Sequence, residues 1–357
     1  MNLDNQEIYK KLDKHFVGKS IELLPAQMRQ VLSEASLVKI PQEYSKINKV
    51  VLAGMGGSNL GIRIMRHAFA DQIKIPININ AGYGVPKYVD ENTLYIMSSY
   101  SGTTEEPLST YDEAKKRGAK IIAITEDAEN NKLKEIILRD DIPGYIFKPE
   151  QNPSGQPRLG LGYSIFGIAM MLSEAGVIKI DVKEMEEIID LLEVNSQELK
   201  VASASKENIA KKIALKLNAK APILVGAEFL SGNLHVMRNQ INETAKTFSS
   251  YLVLPDLNHY AMEGLQYPEA NKNNLQFVFF NSDLYSSRIQ KRLKLSKDVV
   301  TKNGIEVLEI KLKSKIKKAQ CFELLQFGSW LSFYMGIMYG VDPVSVPWVD
   351  WFKKQLG

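Results

Sequence analysis

The sequence predicts an α/β fold: two three-layer α-β-α units with parallel sheets, covered by further helices at both ends. Three observations lead there. Short apolar runs alternate with helix-like stretches between residues 49 and 147, the rhythm of βαβ units. The polar, Pro- and Gly-rich stretch Gln151-Asn152-Pro153-Ser154-Gly155-Gln156-Pro157-Arg158 then breaks that rhythm and reads as a linker. Finally, the opening plan recurs in degenerate form. Pro222-Ile223-Leu224-Val225-Gly226 with Gly232 parallels Val50-Val51-Leu52-Ala53-Gly54 with Gly61. The 357 residues suit two domains, expected at 1–160 and 161–357.

Residues 4–36 place apolar side chains at helical spacing, with Leu12 and Phe16, then Leu23, Leu24, Met28, Val31 and Leu32. They read as covering helices, interrupted or started by Pro25. Strands are expected at 49–53, 76–80, 94–98, 119–124 and 145–147, with helices at 59–70, 104–117 and 130–138 between them. A helix at 162–175 leads onward, and the charged stretch 181–218 is helical by pattern. Strands at 222–226, 275–280 and 305–312, with helices at 284–302 and 319–339, complete the second unit.

Composition excludes several classes of protein. Charged residues are 24% and hydrophobic residues 45%, the balance of a soluble globular chain. A net charge of +4 could draw an anionic metabolite, but no basic tract with interleaved aromatics exists, which argues against nucleic acid. The lysine runs 291–297 and 313–318 read as solvated faces. Cys321 is the single cysteine and cannot form an internal disulfide, as expected of a reducing, cytoplasmic setting. No signal peptide is evident at the N-terminus, and the most apolar stretch, 159–178, is interrupted by glycines, Ser164, Ser173 and Glu174, so no membrane span is expected. His15, His67, His235 and His259 lack ligand spacing, so neither a metal nor another cofactor is expected.

The segment Gly54-Met55-Gly56-Gly57-Ser58-Asn59-Leu60-Gly61 joins an apolar strand to a helix. Glycines let such a turn approach a ligand closely, and the helix end beyond it favours an anion. Two common nucleotide motifs fail on spacing. A dinucleotide fingerprint would need a glycine where Asn59 stands, and a triphosphate loop would need a lysine before Ser58. Taken alone, the loop is also compatible with a purely structural turn.

A second turn, Ser98-Ser99-Tyr100-Ser101-Gly102-Thr103-Thr104-Glu105-Glu106, again follows a strand and opens a helix. One hydroxyl there would serve as an ordinary helix cap, but the turn holds more than a cap uses. Two such turns at the carboxyl ends of neighbouring parallel strands would converge on one crevice suited to a phosphate monoester.

Three further residues fit proton-transfer chemistry. Glu243 lies within the helical run Arg238-Asn239-Gln240-Ile241-Asn242-Glu243-Thr244-Ala245-Lys246, His259 follows the turn Pro255-Asp256-Leu257-Asn258, and Arg158 closes the Gln-Pro-Arg turn. Each alone is as ordinary as any surface Glu or turn His. Together they match an aldose–ketose isomerisation. That reaction needs a carboxylate to move a proton between adjacent carbons, a fixed cation for the enediolate and a group that opens the sugar ring.

The motifs G-M-G-G-S and S-Y-S-G-T-T-E-E resemble those of the sugar isomerase (SIS) domain proteins. With Q-P-R, N-E-T-A-K, L-N-H and the terminal V-D-W-F-K, the chain resembles the bifunctional phosphoglucose/phosphomannose isomerases over residues 45–357. The resemblance implies two flavodoxin-like SIS subdomains. It implies that Gly56, Gly57, Ser58, Ser99, Ser101 and Thr104 hold the substrate phosphate. It further implies Arg158 as enediolate stabiliser, Glu243 as proton-shuttling base, His259 as ring opener and Lys353 as the family's C-terminal lysine. In that family the histidine comes from the other subunit, which implies a homodimer. The substrates implied are hexose 6-phosphates, with no nucleic acid or membrane partner.

Three departures stand out. Thr103 occupies a position that is often Asn in the family, and Pro107 stiffens the helix start. Tolerance of both C2 epimers is credited in the family to a threonine upstream of the C-terminal lysine, and the window Asp342–Pro347 has none. The resemblance therefore implies glucose 6-phosphate more firmly than mannose 6-phosphate. A non-catalytic sugar-phosphate sensor of the same fold is the alternative, although it would not need Arg158, Glu243 and His259 together. Hexosamine synthesis would want a cysteine at position 2, where Asn2 stands.

Overall fold

The computed structural model describes residues 1–356. Its contacts divide the chain within the helix Val182–Leu199. Residues 23–191 form one compact unit, and residues 1–22 with those from 192 onward form the other. The stretch 151–158 therefore lies inside the first of these units.

The unit of residues 23–191 carries a five-stranded sheet, parallel at every pairing, in the order β2-β1-β3-β4-β5. Its strands are β1 (Lys49–Ala53), β2 (Ile77–Asn80), β3 (Thr93–Ser98), β4 (Lys120–Glu126) and β5 (Gly144–Phe147). β3 is buried along its whole length, which is why its sequence is a continuous apolar run and does not alternate. Val51, Ala53, Tyr95, Met97, Ile121 and Ala123 face a core shared with Tyr111, Ala114, Leu133 and Ile137, from the helices Tyr111–Lys116 and Lys132–Asp140. The other face lies against helix Leu161–Glu174. A Cβ on Gly167 there would lie 2.5 Å from the tip of the Ile124 side chain and 2.9 Å from the Tyr145 ring, so glycine lets helix and sheet pack closely without moving them.

The helix expected at 104–117 is two helices, Glu105–Ser109 and Tyr111–Lys116. The break follows from Thr110. Its hydroxyl donates to the Pro107 carbonyl at 2.7 Å and its N–H donates to the same oxygen at 3.3 Å, taking the acceptor that an uninterrupted helix would offer residue 111.

The other unit carries a four-stranded parallel sheet ordered β7-β6-β8-β9: β6 (Ala221–Ala227), β7 (Ser250–Leu254), β8 (Leu275–Asn281) and β9 (Glu306–Lys311). The first three strands repeat the β2-β1-β3 arrangement, so the degenerate repeat in the sequence is a repeat of topology. β7 has no counterpart among the sequence expectations, although Tyr251-Leu252-Val253-Leu254 is an apolar run; its residues 250–253 are only half-buried. The helix Lys317–Tyr339 is the buried spine of this unit and packs on Ser231–Thr244 and Ile209–Lys216.

Lys211 ties the N-terminal residues to this unit. Its side chain is fully enclosed, and its Nζ donates to the carbonyls of Val201 (2.9 Å) and Ser203 (2.8 Å), pairs with Asp4 at 3.4 Å and lies over the rings of Tyr9 and Tyr334. A buried ammonium is tolerated only with such partners, and burial lowers its pKa. The final helix, Pro347–Leu356, buries none of its residues, and Trp348 is 80% exposed.

Candidate active site

The two hydroxyl-rich turns follow β1 and β3, which are adjacent, with β2 on the far side of β1. The chain leaves β1 toward one edge and returns toward the other, and a crevice opens outside the carboxyl ends of strands at such a point. The turns are bonded to each other. Ser98 Oγ donates to the Ser58 carbonyl at 2.7 Å, and the Tyr100 N–H donates to Ser58 Oγ at 2.8 Å. Gly54 is required at this junction, since a Cβ there would lie 2.8 Å from the Ser98 carbonyl.

The hydroxyls of the second turn do not cap the helix that follows, because Thr104 is the N-cap residue yet makes no side-chain cap bond. Ser99 Oγ donates to Thr104 Oγ1 at 2.9 Å, and Ser101 Oγ pairs with Thr103 Oγ1 at 3.1 Å. With their lone pairs engaged this way, the Ser58 and Thr104 hydroxyls keep their own hydrogens to offer an acceptor. Gly56 has φ +48° and open space where a side chain would stand, so its backbone is available to a ligand.

Arg158 is brought to the same place. It is 5% exposed, on the short helical turn Pro157–Leu159, with Nη1 donating to Gln156 Oε1 at 3.0 Å. A Cβ on Gly57 would come within 3.2 Å of the Arg158 nitrogen, so the glycine loop and the Gln-Pro-Arg turn are in direct backbone contact. A buried guanidinium beside this loop places a permanent positive charge at the crevice.

Sequence reasoning missed the residues that brace this arrangement. Asn152 Nδ2 donates to the Tyr100 hydroxyl (2.9 Å) and to the Gln156 carbonyl (3.0 Å), fixing the Gln-Pro-Arg turn to the Ser-Tyr-Ser turn. Asn131 Nδ2 donates to Thr125 Oγ1 at 2.7 Å, and its side chain fills the space beside Gly102, whose φ is +67°. At the end of β4, the Glu126 N–H donates to the Tyr100 carbonyl at 3.1 Å, and burial raises the Glu126 carboxyl pKa. Asn131 is locally legible only as the N-cap of helix Lys132–Asp140, where its Oδ1 accepts from the Lys134 N–H at 2.8 Å, and nothing local marks its contact with Gly102 or the role of Asn152.

Glu243, His259 and Lys353 stand on three different elements of the other unit. Glu243 is half-buried in the last turn of helix Ser231–Thr244 and lines a cavity of about 660 Å³ with Asn242, Lys246, Ser345 and Trp348. His259 is exposed at the end of the turn Asp256–His259, and Lys353 is exposed on the final helix. Neither lines the Glu243 cavity. Among the described residues no group of three or more His, Cys, Asp or Glu could hold a metal, and no helix is long and apolar enough to cross a membrane.

The fold and the hydroxyl-rich crevice define a SIS-domain protein. Residues 43–137 match the SIS domain model, and residues 206–356 match the bacterial phospho-glucose isomerase C-terminal SIS domain. Among solved structures, the hypothetical protein TT0462 of Thermus thermophilus aligns with a TM-score of 0.76 at 14% identity, over 98% of this chain and 92% of that one. A glucose-6-phosphate isomerase like protein from the same organism aligns with a TM-score of 0.60 at 14% identity, over 99% of both chains. These two likenesses concern the fold alone.

Sequence relatives narrow the class. The bifunctional phosphoglucose/phosphomannose isomerase of Caldicellulosiruptor bescii is 33% identical over 94% of this chain and 98% of its own length. Its namesake in Thermoplasma volcanium is 28% identical over 88% and 93%, respectively. The chain belongs to the family of bifunctional phosphoglucose/phosphomannose isomerases.

Proposed function

We propose that this chain interconverts glucose 6-phosphate, and also mannose 6-phosphate, with fructose 6-phosphate through a cis-enediolate. The observation that carries the reading is the pairing of the hydroxyl-rich crevice with the buried Arg158 beside Gly57. It combines neutral donors for a phosphate monoester with a fixed cation for a developing oxyanion. The names of the relatives point to the same chemistry.

In this reading Gly56, Gly57, Ser58, Ser99, Ser101 and Thr104 hold the phosphate. His259 opens the hexose ring: a proton leaves the C1 hydroxyl and one is delivered to the ring oxygen as the C1–O5 bond breaks. The Glu243 carboxylate takes the C2 proton of the open aldose, negative charge moves onto the C1 oxygen, and Arg158 stabilises the enediolate. Transfer of the O2 hydroxyl proton to O1, with return of the carbon-bound proton to C1, gives the ketose. Lys353 supplies a further cation to the substrate oxygens. The active form is a cytoplasmic homodimer in which His259 serves the partner's site.

A coupled assay that starts from fructose 6-phosphate and follows glucose 6-phosphate and mannose 6-phosphate separately tests the assignment. Formation of both aldoses is expected. Release of neither, by a chain that still binds fructose 6-phosphate, would return the fold to a sensor role.

A further inference from the structure

Residues 291–297 read as a solvated basic face in the sequence, but the structure makes part of that face the wall of a cavity. Helix Ser287–Lys302 and the segment around Asn258 and Met262 line an open, concave cavity of about 600 Å³. That volume falls in the range of small-molecule sites. Arg288, Lys291, Arg292 and Lys302 surround it, against the single carboxylate of Asp298. Among the described residues none of the four cations is in an ion pair. Met262, Leu295 and Val299 supply an apolar floor, and Leu295 is 52% exposed.

The wall is also fixed in place. Arg292 Nη1 donates to Asn258 Oδ1 at 3.0 Å, and Asn258 Nδ2 donates to Ser296 Oγ at 2.7 Å. One side of the cavity is thereby tied to the turn that ends in His259.

We propose that this cavity binds a small phosphorylated anion with an apolar body, at a site separate from the hydroxyl-rich crevice. Unpaired cations around a concave apolar floor meet both halves of such a ligand: the charge answers the phosphate and the floor answers a ring or chain. A solvated helix face needs no concave apolar floor, and its lysines are satisfied by water alone. The site does not depend on the isomerase reading, and its ligand is expected to bind whether or not hexose phosphates turn over.

Isothermal titration of the full chain with 1-naphthyl phosphate, an aryl phosphate monoester, tests this. The parent should bind one more equivalent per chain than the double variant R288A/K291A. Both side chains are exposed, so the variant should keep the parent's far-ultraviolet spectrum and its turnover. Lys294 lies on the same helix outside the cavity, and Lys294→Ala should retain the extra equivalent. That binding event should weaken by about tenfold or more between low and physiological salt, as expected for partly exposed charges. Equal stoichiometry in the parent and R288A/K291A, or equal loss in Lys294→Ala, would overturn the proposal.

Discussion

The backbone N–H of Tyr100 donates to the hydroxyl oxygen of Ser58 at 2.8 Å, and both residues are almost wholly buried. With the Ser98 Oγ bond to the Ser58 carbonyl, this bond joins the loops that follow β1 and β3. It also turns the Ser58 hydroxyl so that its remaining hydrogen can serve a ligand.

Ser58→Ala should therefore have two effects. The Tyr100 N–H loses its partner in a buried setting, which costs about 1–3 kcal/mol. The phosphate loses a donor as well, so KM for fructose 6-phosphate should rise by about tenfold with a smaller change in kcat. Melting curves and steady-state kinetics on the same preparation check both, and an unchanged KM would remove Ser58 from phosphate binding.

Glu243→Gln keeps the shape of the side chain but removes the base. We expect kcat to fall on the order of 10²- to 10⁴-fold while the affinity for a phosphorylated inhibitor barely changes, because the crevice is untouched. Deuterium uptake at C2 from heavy water should fall in parallel. An ordinary half-buried Glu would instead change stability by less than about 0.5 kcal/mol and leave turnover within about threefold.

If His259 serves the partner's site, mixing inactive Glu243→Gln chains with inactive His259→Ala chains should restore part of the activity, since one site of each heterodimer carries both intact residues. Mass spectrometry should first establish that subunits exchange. Proven exchange without recovery would place both residues in one chain's site.

Asp90 gives the fold an acid-sensitive joint. Its two oxygens accept from Lys49 Nζ at 2.8 Å each, and one also accepts from the Asn92 N–H and the Thr93 hydroxyl at 3.0 Å. The Lys49 hydrogen bonds lead in holding its carboxyl below the usual carboxylate range. A carboxylate whose pKa is depressed by folding contributes stability above its unfolded pKa of about 4 and loses it as pH falls through the folded value. The parent should therefore lose melting temperature more steeply below pH about 4 than Asp90→Asn does. Parallel curves for the two proteins would show that this pairing does not drive the acid response.

Much of the architecture was legible because the signals are local. β1 and β3 show as apolar runs, since a strand covered on both faces needs no alternation. The glycine loop was legible because close backbone approach admits no side chain: Gly54 meets the Ser98 carbonyl and Gly57 the Arg158 backbone. The family motifs carried the candidate residues Arg158, Glu243, His259 and Lys353. The half-buried strand β7 escaped, as did the break at Thr110, which depends on how one hydroxyl chooses between competing acceptors.

By itself the sequence determined the α/β class, the doubled plan and the two hydroxyl-rich turns, because burial periodicity and glycine sterics are written into neighbouring residues. The tertiary structure alone decided that residues 1–22 cover the unit built from residue 192 onward, pinned through Lys211 and Asp4. It alone chose Asn152 as the partner of Tyr100 and Asn131 as the filler beside Gly102, and it gathered four cations around a cavity on helix Ser287–Lys302. The physical reason is the same in each case. A hydrogen bond or an electrostatic cluster between residues remote in sequence is selected by where the packed sheets and helices bring them, and no local pattern encodes that distance.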